Sequence, residues 1–321
     1  MIKFISQVLH GRWNSYKYRF VPWMAVNLGK NERTLRQVKA RSQDKVVPDS
    51  KVFESLLSLF KALFASDLER QRQVLHLLPF SLQTSYQALG RSAQVLQNCH
   101  PEKHDPVKVM LDTLGFSVKR RPSSVPSAGI GVFVAMGTVS KGAVVAMYPG
   151  TVYEMYEPIF LQSLCNPFVF RCIDGILIDG KDKGISKIVY RSCSSRDRLG
   201  AFTFSDTTWL TAKPDNPLAV GQYVNNCSND KAANVCYQEF DISTEFPLEL
   251  CQYLPNVNYR NDTKRPLRCV VLVALRDIRS GEELFSNYYT NWVTAPKKQK
   301  ISTQRTQIQV YRRRQMKPFN I

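Results

Sequence analysis

Residues 270–289 read VVLVALRDIRSGEELFSNYY. The opening VVLVAL is apolar and rich in β-branched valine, which predicts a buried strand. Arg276, Asp277 and Ile278 follow as a turn. Gly281-Glu282-Glu283 then breaks the chain, and Tyr288 and Tyr289 end the stretch as an aromatic pair. Taken alone, this describes the edge of a hairpin.

Two distant segments change that reading. One is Ala128-Gly129-Ile130-Gly131-Val132-Phe133. The other is Tyr223-Val224-Asn225-Asn226-Cys227-Ser228, with Ala233-Asn234-Val235 just beyond. A lone GxG is a tight turn in most proteins, although its two glycines let backbone approach a ligand closely. Two consecutive amides after a Tyr-Val pair form an unusual polar cluster beside an apolar strand. In this order, the three segments resemble the cofactor loop, the asparagine motif and the terminal tyrosine motif of SET-domain protein lysine methyltransferases. The resemblance runs from about Ser117 to Tyr289, a little over half the chain.

The resemblance implies a set of roles. S-adenosylmethionine would be the cofactor, held by Gly129, Gly131, Asn225 and Asn226, with Tyr288 beside it. Tyr288 would be the catalytic tyrosine that orients a target lysine amine. Tyr148, Tyr223 and Phe285 are candidates for the wall of a substrate channel. Such a channel suits the chemistry, because burial among aromatic rings penalises an ammonium ion and favours the neutral amine. A tyrosine lines the channel with its ring and orients the amine with its hydroxyl. Methyl transfer to an amine is an in-line displacement, so the protein's main task is positioning.

The chain departs from the family pattern in several places. The family's Asn-His-Ser-Cys is here Asn225-Asn226-Cys227-Ser228, and Asn234 follows alanine rather than proline. Ser286 stands where a second tyrosine is usual, and Asn287 where aspartate is usual. Tyr148-Pro149-Gly150 matches a family Tyr-x-Gly, but Thr151 follows where glutamate is common. Many relatives close the site with a cysteine-rich zinc segment after the tyrosine. No cysteine follows Tyr289 in this chain, so no metal is predicted. Closure would fall to Trp292, to the helices of 49–115 or to a partner.

Outside these motifs the sequence divides by character. Residues 1–48 form a basic segment and linker. Residues 49–115 carry helical stripes such as Val52, Leu56, Phe60 and Leu63, which predict a small helical domain. Ser66 and Glu69 have the spacing of a capping box. Residues 116–290 change to short β-branched runs broken by Gly, Pro and Asn, which predict small antiparallel sheets. The stretches 181–217 and 245–266 read as insertions. Residues 291–321 form a basic tail with the composition of a disordered segment. The expected fold class is α+β: a β-rich SET domain preceded by a helical domain.

Composition sets outer bounds. The 321 residues include 44% hydrophobic and 22% charged side chains, ordinary values for a globular protein. No run approaches the roughly eighteen apolar residues of a membrane span. Eight cysteines occur without a CxxC or CxC pair, which predicts reduced, mostly buried thiols. The net charge of +18 is concentrated at the ends. Residues 1–31 hold five basic side chains and 284–321 hold eight, neither segment holding an acid, which accounts for thirteen of the eighteen excess charges. Nucleic acid could therefore be engaged only through the basic termini.

Ile2, Ile5, Val8, Leu9 and Trp13 recur at helical spacing in the acid-free opening, the composition of a mitochondrial transit peptide. The alternative is a basic helix packed on its own protein or on a membrane surface. A nuclear or cytosolic address, with Arg312-Arg313-Arg314 as an import signal, also stays open. The functional alternative to a protein-lysine methyltransferase is a catalytically inactive SET-fold module that binds peptide or cofactor.

Overall fold

The computed structural model describes residues 45–95, 105–126, 128–154, 157–228, 230–261 and 265–287. Six α-helices are described: α1 (Asp49–Ser66), α2 (Leu68–Val74), α3 (Phe80–Val95), α4 (Pro106–Leu114), α5 (Phe160–Ser163) and α6 (Gly184–Arg196). None is long and apolar enough to cross a membrane. Strands begin with the antiparallel pair β1 (Phe116–Pro122) and β2 (Ile130–Val139). The others in chain order are β3 (Val144–Tyr148), β4 (Gly150–Tyr153), β5 (Val169–Arg171), β6 (Leu177–Asp179), β7 (Arg198–Leu199), β8 (Phe202–Thr203), β9 (Asn225–Asn226), β10 (Val235–Ile242), β11 (Asn256–Asn258), β12 (Leu267–Ala274), β13 (Ile278–Arg279) and β14 (Phe285–Ser286).

Helix α1 forms because Val52, Leu56, Leu59, Phe60, Leu63 and Phe64 recur at three- and four-residue spacing and all are fully buried. The next helix is capped differently from the Ser66–Glu69 spacing. Asp67 is the cap, its carboxylate accepting from the Arg70 amide at 2.9 Å, while the Ser66 hydroxyl donates back to the Leu63 carbonyl. A carboxylate next to the helix N-terminus is the stronger acceptor for an orphan amide. At α4, Asp105 caps the start and Gly115, at φ 79°, turns the chain out into β1.

Helices α1 to α4 and the central sheet share one hydrophobic core, while α6 packs on a separate cluster around Tyr190 and Trp209. Phe60 packs its ring 6.3 Å from Phe246 and 5.6 Å from Tyr253, and Phe53 meets Phe246 edge-on at 5.8 Å. Gln238, buried in β10, accepts from the Val46 and Val47 amides and donates to the Val47 carbonyl. The approach to α1 is thereby tied to the central sheet.

That sheet has the order β3-β12-β10-β14-β9. The VVLVA run of the opening stretch lies in β12, paired with the edge strand β3 on one side and the central β10 on the other, all five side chains fully buried. A three-stranded sheet β1-β2-β13 and a four-stranded sheet β11-β4-β6-β5 complete the body. Most pairs are antiparallel, but β14 pairs in parallel with both β9 and β10, and β11 with β4.

Strand β14 is inserted between β10 and β9 although it follows both in sequence. On the way in, the chain crosses β2: the Gly281 amide donates to Val134, the Val134 amide to Glu282, and the Leu284 amide to Val132. The terminal motif is therefore held on both sides by strands from distant parts of the chain. The stretch 181–217, read as an irregular insertion, contains the thirteen-residue helix α6. Its inner face is Ser186, Tyr190, Cys193 and Ser194. That small and polar stripe gives no hydrophobic period to detect.

Candidate functional site

Three segments quoted for their sequence meet where β2, β9 and β14 come together. Asn225 lies opposite Phe285 and Asn226 opposite Ser286 in the parallel pair. The Asn225 side-chain amide donates to the Ile130 carbonyl and to Glu283 Oε1, each at 3.2 Å. One side chain of the asparagine motif thus bridges the glycine loop and the terminal motif.

Glu283 is the hub of this junction. Its carboxylate accepts from Ser123 Oγ at 2.6 Å, from the Ser124 amide at 2.8 Å, from Ser124 Oγ at 2.6 Å and from Asn225. Burial pushes its carboxyl up, but the bonds from Ser123, Ser124 and Asn225 outweigh that and hold it below the usual carboxylate range.

Gly131 has a specific reason to lack a side chain. A Cβ there would lie 2.1 Å from Glu283 Oε1 and 3.3 Å from the Asn225 amide nitrogen. The missing side chain admits the Glu283 carboxylate. Gly129 differs: it takes φ 75°, and nothing lies within 4 Å of where its Cβ would be. Positive φ at an open position is glycine's own conformational territory.

Asn234, fully enclosed, holds the terminal motif from the other side. Its amide donates to the Glu283 carbonyl at 2.8 Å, and its side-chain oxygen accepts from the Phe285 amide at 2.8 Å. Backbone and side chain together fix residues 283–286, the stretch that leads to Tyr288. Tyr288 itself, with Tyr289 and Trp292, lies outside the described residues.

Two of the three channel candidates, Tyr148 and Tyr223, meet at Phe168. Tyr148 donates its hydroxyl to the Phe168 carbonyl at 2.8 Å. Tyr223 meets the Phe168 ring edge-on at 6.1 Å. Tyr223 also donates its hydroxyl to Asp182 at 2.6 Å, and the Arg120 guanidinium sits 5.3 Å over its ring. Burial and then the Asp182 bond push the Tyr223 hydroxyl up to about 12. Phe285 is buried in β14. The Ser286 hydroxyl, fully buried, has no partner among the described residues.

Among the described residues, one cluster has metal-ligand chemistry: Cys172, Asp174 and Glu239. Its cation is Arg268, whose guanidinium contacts Glu239 at 2.8 Å, Asp174 at 2.9 Å and Asp241 at 2.6 Å. Burial pushes the Cys172 thiol well up. The seven described cysteines are all free thiols.

Ser123, Ser124, Glu283 and Asn234 are the polar residues whose roles sequence reasoning missed. Glu283 and Asn234 stood inside the quoted motifs. What they bond to depends on a threading that motif spacing does not reveal.

No protein-family model matches the chain. Among solved structures, ctPRC2 in an autoinhibited conformation bound to S-adenosylmethionine is 16% identical, with a TM-score of 0.30, covering 62% of this chain and 17% of that one. KRYPTONITE in complex with mCHH DNA, an H3(1-15) peptide and SAH is 14% identical, with a TM-score of 0.28, covering 58% of this chain and 26% of that one. Overlaps of that size carry no weight on function. Curated relatives are far nearer. SET domain-containing protein 9 of Pongo abelii is 60% identical over 263 residues, covering 80% of this chain and 96% of its own. The human protein of the same name is 61% identical over 285 residues, covering 87% of this chain and 95% of its own. Near-complete coverage at that identity, on an α+β body whose three diagnostic segments meet at one junction, means that the chain belongs to the SET domain-containing protein 9 family of SET-domain proteins.

Proposed function

We propose that the protein is an S-adenosylmethionine-dependent methyltransferase acting on a lysine side chain of a protein substrate. The observation that carries this reading is the Asn225 bridge, which joins the glycine loop to the terminal motif at one point. The residues suit the cofactor: half-buried Asn225 and Asn226 lie on the edge strand of the central sheet, Asn225 reaches Ile130 of the glycine loop, and the space around Gly129 is open. When bound, S-adenosylmethionine supplies a methyl carbon on a sulfonium, which a neutral amine can displace in line.

The chain's own residues would do the rest. Asn225, whose two amide hydrogens go to Ile130 and Glu283, would offer its side-chain oxygen, Asn226 its side-chain amide, and Gly129 and Gly131 backbone without a side chain in the way. Tyr148, Tyr223 and Phe285 would wall the channel and disfavour the charged amine, whose proton leaves to solvent before transfer. Tyr288, two residues past β14 in sequence, would orient the amine.

A second reading is an inactive SET-fold binding module, motivated by Asn226, Ser286 and Asn287 in place of the family's residues. One experiment separates the two. Calorimetry with S-adenosylmethionine is paired with single turnover on a peptide array, for wild type and Tyr288→Phe. The enzyme reading expects cofactor binding and labelled peptide, with transfer lost by orders of magnitude in a folded Tyr288→Phe protein. Cofactor binding without any transfer supports the binding module. Undiminished transfer in the variant removes Tyr288 from the mechanism.

We also propose a mitochondrial address, from the basic, acid-free residues 1–31. A fluorescent protein carrying residues 1–40 should reach mitochondria. If it stays diffuse while residues 290–321 direct it to the nucleus, the address is nuclear.

A further inference from the structure

The loop at 123–129 is closed on itself by two bonds, Ser123 amide to Gly129 carbonyl at 2.8 Å and Ala128 amide to Val125 carbonyl at 3.1 Å. Beyond the β1–β2 ladder at its two ends, its bonds to the rest of the protein, among the described residues, all run to Glu283. Three donors reach one carboxylate from two consecutive serines. The carboxylate cannot retreat freely, because Glu283 sits on a backbone gripped by Val132 and Asn234. Nor can it be crowded out, because Gly131 leaves the space it fills.

We infer that Glu283 is the latch of this loop, a positioning residue that holds Ser123 and Ser124 against the terminal motif and so shapes the cofactor pocket. The inference rests on the reading of this junction as a cofactor site. Its physical basis is the geometry of an ionised acceptor facing three donors, an arrangement stronger than neutral hydrogen bonds and sensitive to the sign of charge placed opposite. The neighbouring acid provides a contrast. Glu282 points away, to Arg276 at 2.6 Å and to the Arg279 amide, and touches no residue of the loop.

The test uses the full-length protein. Glu283→Gln keeps the shape but turns one oxygen into a donor that faces the serine donors. It should weaken S-adenosylmethionine binding by calorimetry roughly 10- to 100-fold, the loss of one or two charge-assisted bonds. It should also speed hydrogen exchange at the Ser124 amide by a similar factor. Ser124→Asp, which sets a second carboxylate against Glu283, should do the same, and Glu283→Gln should partly rescue Ser124→Asp. Glu282→Gln should leave loop exchange and affinity at wild-type values.

If Glu283→Gln does not fold, the double variant Ser123→Ala/Ser124→Ala removes the two hydroxyl donors without touching the buried strand, and should weaken binding at least several-fold. Wild-type affinity and wild-type Ser124 exchange in the folded variants would overturn the latch. Absence of cofactor binding in wild type would instead overturn the functional reading. Ser124 exchange alone then decides the latch, faster exchange in the variants supporting it and unchanged exchange overturning it.

Discussion

Gly131→Ala is the smallest change that tests the junction. The added methyl would lie 2.1 Å from Glu283 Oε1 and 2.9 Å from its Cδ, so the carboxylate must back away by more than 1 Å to reach an ordinary contact of 3.4 Å or more. The same oxygen accepts from Ser123 Oγ and Asn225, and a displacement of that size breaks both bonds. Bonds to a charged group are worth about 1.5–3 kcal/mol each. The loop can relax to recover part of this, and replacing glycine stabilises by about 0.4–1 kcal/mol through the unfolded chain. The expected net loss is about 1–3 kcal/mol, a Tm decrease of roughly 3–10 °C for a domain of this size. Urea denaturation and thermal melting measure it. The control is the same substitution in a Glu283→Ala background, where the overlapping atoms are gone and Gly131→Ala should cost nothing. An equal cost in both backgrounds, or a wild-type cost below about 0.5 kcal/mol, would refute the argument that Gly131 exists to admit Glu283.

Three further outcomes are expected. Asn234→Ala removes both bonds to the terminal motif and leaves the Phe285 amide and Glu283 carbonyl buried without them. The cost should be about 2–4 kcal/mol by urea denaturation, and a near-neutral result would show that β14 is held by its strand neighbours alone. Phe60→Ala, at a fully buried position shared by α1, Phe246 and Tyr253, should cost about 3–5 kcal/mol in one cooperative transition, and two separate transitions would contradict a shared core. Asp206 is fully enclosed, and burial raises its carboxyl from 3.8 to about 7. Its folded value exceeds its unfolded one, so this group's contribution to stability is fully present below about pH 4 and is lost as pH rises towards 7, where the buried acid must ionise. Asp206→Asn should therefore melt higher than wild type at pH 8 and equally at pH 4; parallel Tm–pH curves would rule this out.

The sequence alone determined a good deal. The valine run of β12, the glycine loop, the asparagine pair and the Gly-Glu-Glu-Leu break are local patterns. Each was legible because buried strands, tight turns and polar clusters are written in contiguous residues. The stripe of α1 was legible for the same reason, since one apolar face recurs every three or four positions. Helix α6 was not, because its buried face is serine, tyrosine and cysteine.

Only the tertiary structure decided what the motifs do to one another. Nothing local to Glu283 says that it meets Ser123 and Ser124, some 160 positions away. That contact exists because β14 is inserted between β9 and β10 after crossing β2, a connection that short-range pairing rules disfavour. The same insertion sets the Glu283 carboxylate against Gly131, a contact that the glycine motif alone does not reveal. It gave Asn234 two backbone partners on a segment about 50 positions later. Hydrophobic and turn patterns specify elements because their energetics are local. The polar junction is specified by long-range hydrogen bonds, whose partners become neighbours only once the chain has threaded.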